Sequence, residues 1–233
     1  MSMSYLSYIA DDDLKSAVKI VVDCILETQQ KAEEAMHKNV IDPFSAIFDG
    51  AVQGFDLDDW LKKERARQSQ KTVQNQIGYF HQNILGSIPG WRVLPQGFDI
   101  CNDTRQIFAE IKNKYNTVKG SDKFGIYDYL SSRLNEPDYQ GFTAYYVEII
   151  PSRRQPYDRA FTPSDRTTAT KRPLNEKIRQ ISGQAFYNLA TGVPGALSML
   201  FNVLPDVIGE VSGLDRLSEQ QQASYRTIFD RAY

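Results

Sequence analysis

The chain has 233 residues, of which 41% are apolar and 24% charged, a balance that excludes wholesale disorder and a coiled coil. Twenty-seven Lys and Arg against 29 Asp and Glu leave a net charge of −2, which excludes a uniformly basic chromatin-type protein but not a local basic surface. The length suits a single domain with room for a sizeable core.

No run approaches the roughly 20 apolar residues of a membrane span; residues 18–26 and 197–204 come nearest and are broken by Lys19, Asp23, Ser198 and Asn202. The N-terminus runs into Asp11, Asp12 and Asp13 without the basic start and apolar middle of a signal peptide. Cys24 and Cys101 stand far apart, which leaves no disulfide framework and no CxxC knuckle. With only His37 and His81, structural zinc and His-rich iron or zinc enzymes are excluded. The expectation is a soluble protein of a reducing, cytoplasmic compartment.

In chain order, Leu14, Val18, Val21, Ile25, Ala32 and Ala35 recur at helical spacing, predicting a helix over 11–38 headed by three aspartates at its positive end. A turn at Asp42-Pro43 and a short apolar stretch over 44–48 follow. A second helix is predicted over 57–85, apolar on one face at both ends and polar in its middle, stopped by Pro89-Gly90.

The period then changes from 3.6 to 2. Residues 91–94 read as a strand, 95–97 as a turn, 98–101 as a second strand and 102–105 as a hairpin loop. In a third strand over 106–113, Ile107, Ala109 and Ile111 point one way and Phe108, Glu110 and Lys112 the other. Phe124, Tyr127, Leu130 and Leu134 give a short helix, and 142–150 is an apolar run around Glu148 that suits a strand buried on both faces. From 151 to 175 four prolines break structure, and six cations (Arg153, Arg154, Arg159, Arg166, Lys171, Arg172) face two carboxylates. Helices are predicted over 175–189 and 196–204, with a short one after Ser218. The order defines an α/β fold, the hairpins supplying antiparallel pairs and the Phe124 helix a crossover in a mixed sheet.

Chemistry concentrates at Gly97-Phe98-Asp99-Ile100 and Glu110-Ile111-Lys112. Glu110 and Lys112 leave the same face of their strand, and the hairpin lets Asp99 sit across from Glu110. Two carboxylates and an ammonium at a sheet edge are costly unless something is bound. Two hard oxygen ligands suit Mg²⁺, which keeps waters and phosphate oxygens in its remaining positions. A neighbouring Lys then orients or deprotonates an attacking water, with the metal stabilising charge on phosphorus. The competing reading is an exposed strand with Lys112 paired to one acid, because an isolated D…ExK arises by chance in many chains.

The element order, with Asp99 and Glu110-Ile111-Lys112 on the second and third strands, resembles the PD-(D/E)XK nuclease superfamily. Longer words narrow the likeness: Lys71-Thr72, Ile77-Gly78, Phe80-His81-Gln82-Asn83-Ile84-Leu85-Gly86, and Ala109-Glu110-Ile111-Lys112-Asn113-Lys114-Tyr115-Asn116-Thr117. With Phe161-Thr162-Pro163-Ser164-Asp165, Gly183 and Phe186-Tyr187, they are similar to type II restriction endonucleases that cut GGNCC or GGWCC palindromes, over about residues 55–205. That resemblance implies an αβββαβ core, Mg²⁺ (or Mn²⁺ in its place), double-stranded DNA as substrate and a companion DNA methyltransferase. It implies Asp99 and Glu110 as metal ligands and Lys112 beside the water. The Pro usual before the first Asp is Phe98 here. Many members add an acid from the preceding helix; Glu64 is the candidate, and a solvated residue in Lys62-Lys63-Glu64-Arg65 is its other reading.

Within this frame the chain divides into an N-terminal helical part (1–50), a catalytic core (55–150), a basic DNA-contact loop (151–175) and C-terminal helices (176–233). His81, on a helix stripe with Ile77, Phe80 and Ile84, reads as a packing histidine, and His37 as surface. Lys114 and Asn116 follow the metal strand and either touch the phosphate backbone or cap the loop. Arginines of the basic loop are candidate guanine readers, with a solvated loop as the alternative. A palindrome calls for a two-fold homodimer. The competing functions are a sequence-independent repair or recombination nuclease of the same fold and a non-catalytic DNA-binding module. A metabolic α/β enzyme finds no support, as GxGxxG after a strand, GxxxxGK[ST] and GxSxG are all missing.

Overall fold

The computed structural model describes residues 4–30, 41–165 and 170–233. Helix α1 (Asp11–Gln30) carries its three aspartates in the first turn and buries Leu14, Ala17, Val18 and Val21. Its expected continuation through Ala32, Ala35 and His37 lies outside the described residues. Where a turn was expected, Asp42 instead caps a helix, α2 (Pro43–Gln53), accepting the N–H groups of Phe44 and Ser45. Pro43 suits a first turn, whose N–H groups have no intrahelical partner. Helix α3 (Leu57–Gly86) is capped by Asp56 and buries Trp60 early and Phe80, His81, Ile84 and Leu85 late.

Six strands follow: β1 (Arg92–Val93), β2 (Ile100–Asn102), β3 (Ile107–Lys114), β4 (Thr143–Ile150), β5 (Asp158–Ala160) and β6 (Ile178–Ser182). They form one sheet in the order β1-β2-β3-β4-β6-β5. The β1-β2 and β2-β3 pairs are antiparallel; β3-β4 and β4-β6 are parallel; β5 closes the far edge antiparallel to β6. Helix α4 (Asp122–Leu134) makes the crossover from β3 to β4.

The alternation of β3 separates two layers. Ala109 and Ile111 join Ile100, Val147, Ile149 and Ile181 under α3, with Phe80, Ile84 and Leu85 against them and α1 beyond. Phe108 joins Cys101, Ala144 and Ile178 on the other face, against Tyr127 and Leu130 of α4. Glu110 and Lys112 share parity with Phe108 and so belong to the α4 face.

Three expectations are corrected. The helix expected over 175–189 begins as strand β6, and only α5 (Gly183–Thr191) is helical. Ile178 and Ile181 bury against β4 and the opposing cores, and tertiary pairing overrides the local helical bias of Asn175-Glu176-Lys177. Ser182 then caps α5, and a Cβ on Gly183 would lie 2.3 Å from the Ile149 carbonyl oxygen, so only glycine starts the helix this close to β4. Second, α6 (Ala196–Ser212) runs through Pro205 past the expected end at 204. Its buried face continues from Leu197 and Leu200 to Val207 against α1, outweighing the roughly 3 kcal/mol of an interior proline. Third, the basic stretch contains an edge strand, β5. Helix α7 (Glu219–Ala232) starts at Ser218 in a capping box with Gln221.

Candidate active site

The β2-β3 ladder begins where Ile100 pairs with Ala109, and Asp99 directly precedes it. Asp99 N–H donates to the carbonyl of that same Ala109 at 3.0 Å, and the Asp99 carbonyl accepts Leu94 N–H at 3.0 Å, so the chain departs from regular pairing at this residue while keeping it beside β3. Gly97, at φ 96°, makes the preceding turn. Phe98 is buried and stacks on Phe108 with ring centroids 4.3 Å apart, so packing fixes the chain just before the acid.

The Asp99 carboxylate is held by the N–H of Ile111, 2.6 Å from Oδ2. Burial, and then the negative charge of Glu110, push its pKa up to about 6, against the pull of that N–H and of Lys112. On the same face Glu110 Oε1 lies 2.5 Å from Lys112 Nζ, the two side chains being 16% and 25% exposed. The three groups are thus gathered at a partly open site. The charge of Glu110 disfavours the ionised form of Asp99 there, and a divalent cation would relieve that repulsion. Among the described residues no cluster of three or more His, Cys, Asp or Glu side chains could hold a metal. The donor set is therefore two carboxylates, which fits a hard cation that completes its shell with water and phosphate oxygens.

Glu64 does not join them. Its carboxylate accepts from Arg67 at 2.6 Å and Gln68 at 2.8 Å, and Arg67 holds its pKa below the usual carboxylate range. It sits on α3, which packs the opposite face of the sheet, roughly 24 Å along the helix from Phe80 at 1.5 Å per residue.

Lys114 ends β3, its N–H donating to Thr117 Oγ1 at 3.2 Å, and Asn116 is exposed in the turn that follows. Arg153 and Arg154 are exposed. Arg159 lies on β5 and bonds Gln180. Arg172 is tied to Asp128 and lies over the Phe124 ring at 3.5 Å. Lys171 is exposed in a bridge with Ser164, and Arg166 lies outside the described residues. His81 is buried, with Nδ1 2.8 Å from the Tyr187 hydroxyl, and burial lowers its pKa to about 4. Its place is in the core.

Sequence reasoning missed a second polar group on the active face. Lys112 is in register with Glu148 of β4, and Glu148 is bonded by Lys123, Tyr157 and Gln180. The one signal for it was an acid inside an apolar run.

A mixed sheet of this order, with an acid on one hairpin strand facing an acid and a lysine on the next, defines the PD-(D/E)XK, restriction endonuclease-like nucleases. A family model described as Eco47II restriction endonuclease matches residues 6–212, and the chain belongs to that family of site-specific deoxyribonucleases. It is 41% identical to the type II restriction enzyme Eco47II of Escherichia coli, over 99% of this chain and all of that protein. It is 32% identical to the type II restriction enzyme Sau96I of Staphylococcus aureus, over 88% of this chain and 80% of that one. No single described helix is long and apolar enough to cross a membrane.

Proposed function

We propose that this chain, acting as one nuclease unit, hydrolyses both strands of double-stranded DNA at a short G/C-rich palindrome of the GGNCC or GGWCC kind. Asp99 and Glu110 hold Mg²⁺, for which Mn²⁺ substitutes, and Lys112 stands beside the attacking water. The observation that carries the reading is the Asp99 carboxylate held by the Ile111 N–H between Glu110 and Lys112 in the chain, with the Lys112 ammonium bonded to Glu110.

The Ile111 N–H aims the Asp99 carboxylate, and Glu110 keeps the Lys112 ammonium at the site rather than loose in solvent. From there Lys112 orients a water toward phosphorus by hydrogen bonding. Asp99 and Glu110 would hold the ion, which would supply charge stabilisation for the phosphate and the departing oxygen. Lys114, Asn116, Arg153, Arg154 and Lys171 serve the phosphate backbone, and Arg166 belongs to the same basic stretch. A two-fold homodimer supplies one site per strand of a palindrome. A methyltransferase that protects the host site completes the system in the cytoplasm.

Digestion of a long phage DNA with Mg²⁺, followed by end sequencing, tests this. Discrete ends at one palindrome are expected. A smear would make the protein a sequence-independent nuclease, and specific binding with intact DNA in both Mg²⁺ and Mn²⁺ would make it a DNA-binding module.

A further inference from the structure

Strand β4 carries a carboxylate where a buried strand accommodates one least. Glu148 is 1% exposed between Val147 and Ile149. It accepts from Lys123 Nζ at 2.5 Å, from Gln180 Nε2 at 2.9 Å and from the Tyr157 hydroxyl. A desolvated carboxylate costs several kcal/mol unless its partners are this complete, and the hydrolytic trio does not use it.

Two of the three donors lead to one side chain. Gln180 Oε1 accepts from Nε and Nη2 of Arg159 at 3.3 and 3.1 Å. The Arg159 guanidinium also lies over the Tyr157 ring, 4.9 Å from its centroid. Arg159 is exposed, yet it is clamped along one edge by Gln180 and across one face by Tyr157, both anchored on Glu148. Among the described residues its Nη1 has no hydrogen-bond partner, so the Nη1–Nη2 edge is still available. Arg159, Lys123, Gln180, Thr162 and Ser164 line a cleft of about 340 Å³.

The register relates this cleft to the active site. Glu110 pairs with Tyr146, Tyr146 with Gln180 and Gln180 with Arg159, a single row across one face of the sheet. Three strand spacings put Arg159 roughly 14 Å from Glu110, close to the roughly 12 Å width of a DNA major groove. A phosphate is met as well by any swinging cation. A guanine edge demands a guanidinium of fixed plane, which donates two parallel hydrogen bonds to O6 and N7. Arg159 is the arginine that lines this cleft; Arg172 is paired to Asp128, and Arg179, which neighbours Gln180 on β6 and so leaves the other face, is paired to Asp158 and Glu176.

We propose that Arg159 reads a guanine of the recognition site through its outward edge, with Glu148, Tyr157 and Gln180 as positioning residues that set its plane. The proposal rests on the restriction-enzyme reading above.

The test starts from the site that the wild-type protein itself cuts. Binding without divalent ion is measured on DNA with and without that site, and on site DNA carrying 7-deazaguanine, which lacks N7, at each guanine in turn. Arg159→Lys keeps the charge and loses the fork. It should weaken site binding roughly 10- to 100-fold and leave non-site binding nearly unchanged. At one guanine the deaza base should weaken wild type and have little further effect on R159K. Gln180→Ala and Tyr157→Phe each remove a partner of the buried Glu148 and should lower the melting temperature; in binding measured well below that temperature they should lose part of the same site preference with non-site binding unchanged. A merely structural role would weaken binding to both DNAs alike. Equal weakening of R159K on both DNAs, with a salt slope smaller by about one, would mark a phosphate contact and overturn the assignment. So would a deaza penalty identical in both proteins. A wild-type protein without any preferred site would overturn the restriction-enzyme reading and this assignment together.

Discussion

Glu110 and Lys112 leave β3 on the same side and meet in an ion pair of 2.5 Å, neither side chain fully closed to solvent. A partly exposed pair of this kind adds on the order of 0–1 kcal/mol to stability. Its place beside Asp99 is where the proposed hydrolysis would use the ammonium. Lys112→Ala should therefore melt within about 1 kcal/mol of wild type, retain site-specific DNA binding, and lose roughly 100- to 10,000-fold in single-turnover cleavage. Melting, binding and cleavage on one protein preparation check all three; cleavage near the wild-type rate would remove Lys112 from the chemistry.

Asp99 is the less comfortable acid. Burial and the charge of Glu110 both disfavour its ionised form. Asp99→Asn removes that charge and keeps an oxygen for the Ile111 N–H, so its melting temperature should equal or exceed that of wild type at pH 8. Millimolar Mg²⁺ should raise the melting temperature of wild type and leave that of the variant unmoved, because one of the two carboxylates proposed to hold it is gone. Cleavage by the variant should be undetectable. A Mg²⁺ shift of equal size in both proteins would place the ion elsewhere.

His81 gives a pH signature separate from catalysis. Its pKa falls from the ordinary 6.5 to about 4 because the charged ring cannot be solvated in the core. The folded pKa lies below the unfolded one, so its contribution is complete above pH 6.5 and fades as pH drops toward 4, by about 3 kcal/mol. His81→Gln, neutral throughout, should be less stable than wild type at pH 7, since it loses the bond to Tyr187. That gap should narrow by about 3 kcal/mol between pH 7 and pH 4. Urea melts across this range measure it, and a gap independent of pH would show that His81 takes up its proton as readily in the fold as in the unfolded chain.

How much of this was legible in the sequence depended on how far apart the interacting residues stand. Asp99, Glu110 and Lys112 lie within one hairpin, so alternation along β3 and a short loop bring them together without knowledge of the rest of the chain. The same local reasoning found the acidic first turn of α1 and the crossover by α4. It failed at β6, where Ile178 and Ile181 are strand residues only because β4 lies beside them. Glu64 was credible as a ligand until the layers were known, since which face α3 covers is not written in α3. Arg159 was one cation among six, and what distinguishes it is the Glu148, Tyr157 and Gln180 scaffold drawn from three separate segments.

The basic stretch divides by what holds each cation. Arg172 is half-buried between the Phe124 ring and Asp128, and its N–H closes on the Pro163 carbonyl at 3.0 Å, so its side chain ties the loop to α4. Arg172→Ala should lower stability by about 1 to 2 kcal/mol, mainly through the lost ring contact, with the salt dependence of DNA binding unchanged. Arg153 and Arg154, by contrast, are exposed and, among the described residues, make no ion pair. Each that neutralises a phosphate contributes about 0.9 to the slope of log affinity against log salt. If the complex as a whole engages roughly six phosphates, the wild-type slope is near −5. The double variant Arg153→Ala, Arg154→Ala should then melt as wild type does and show a slope shallower by about 2, seen by anisotropy titrations between low and moderate salt. An unchanged slope would assign the backbone contacts to Lys114, Lys171 and the rest of the basic face.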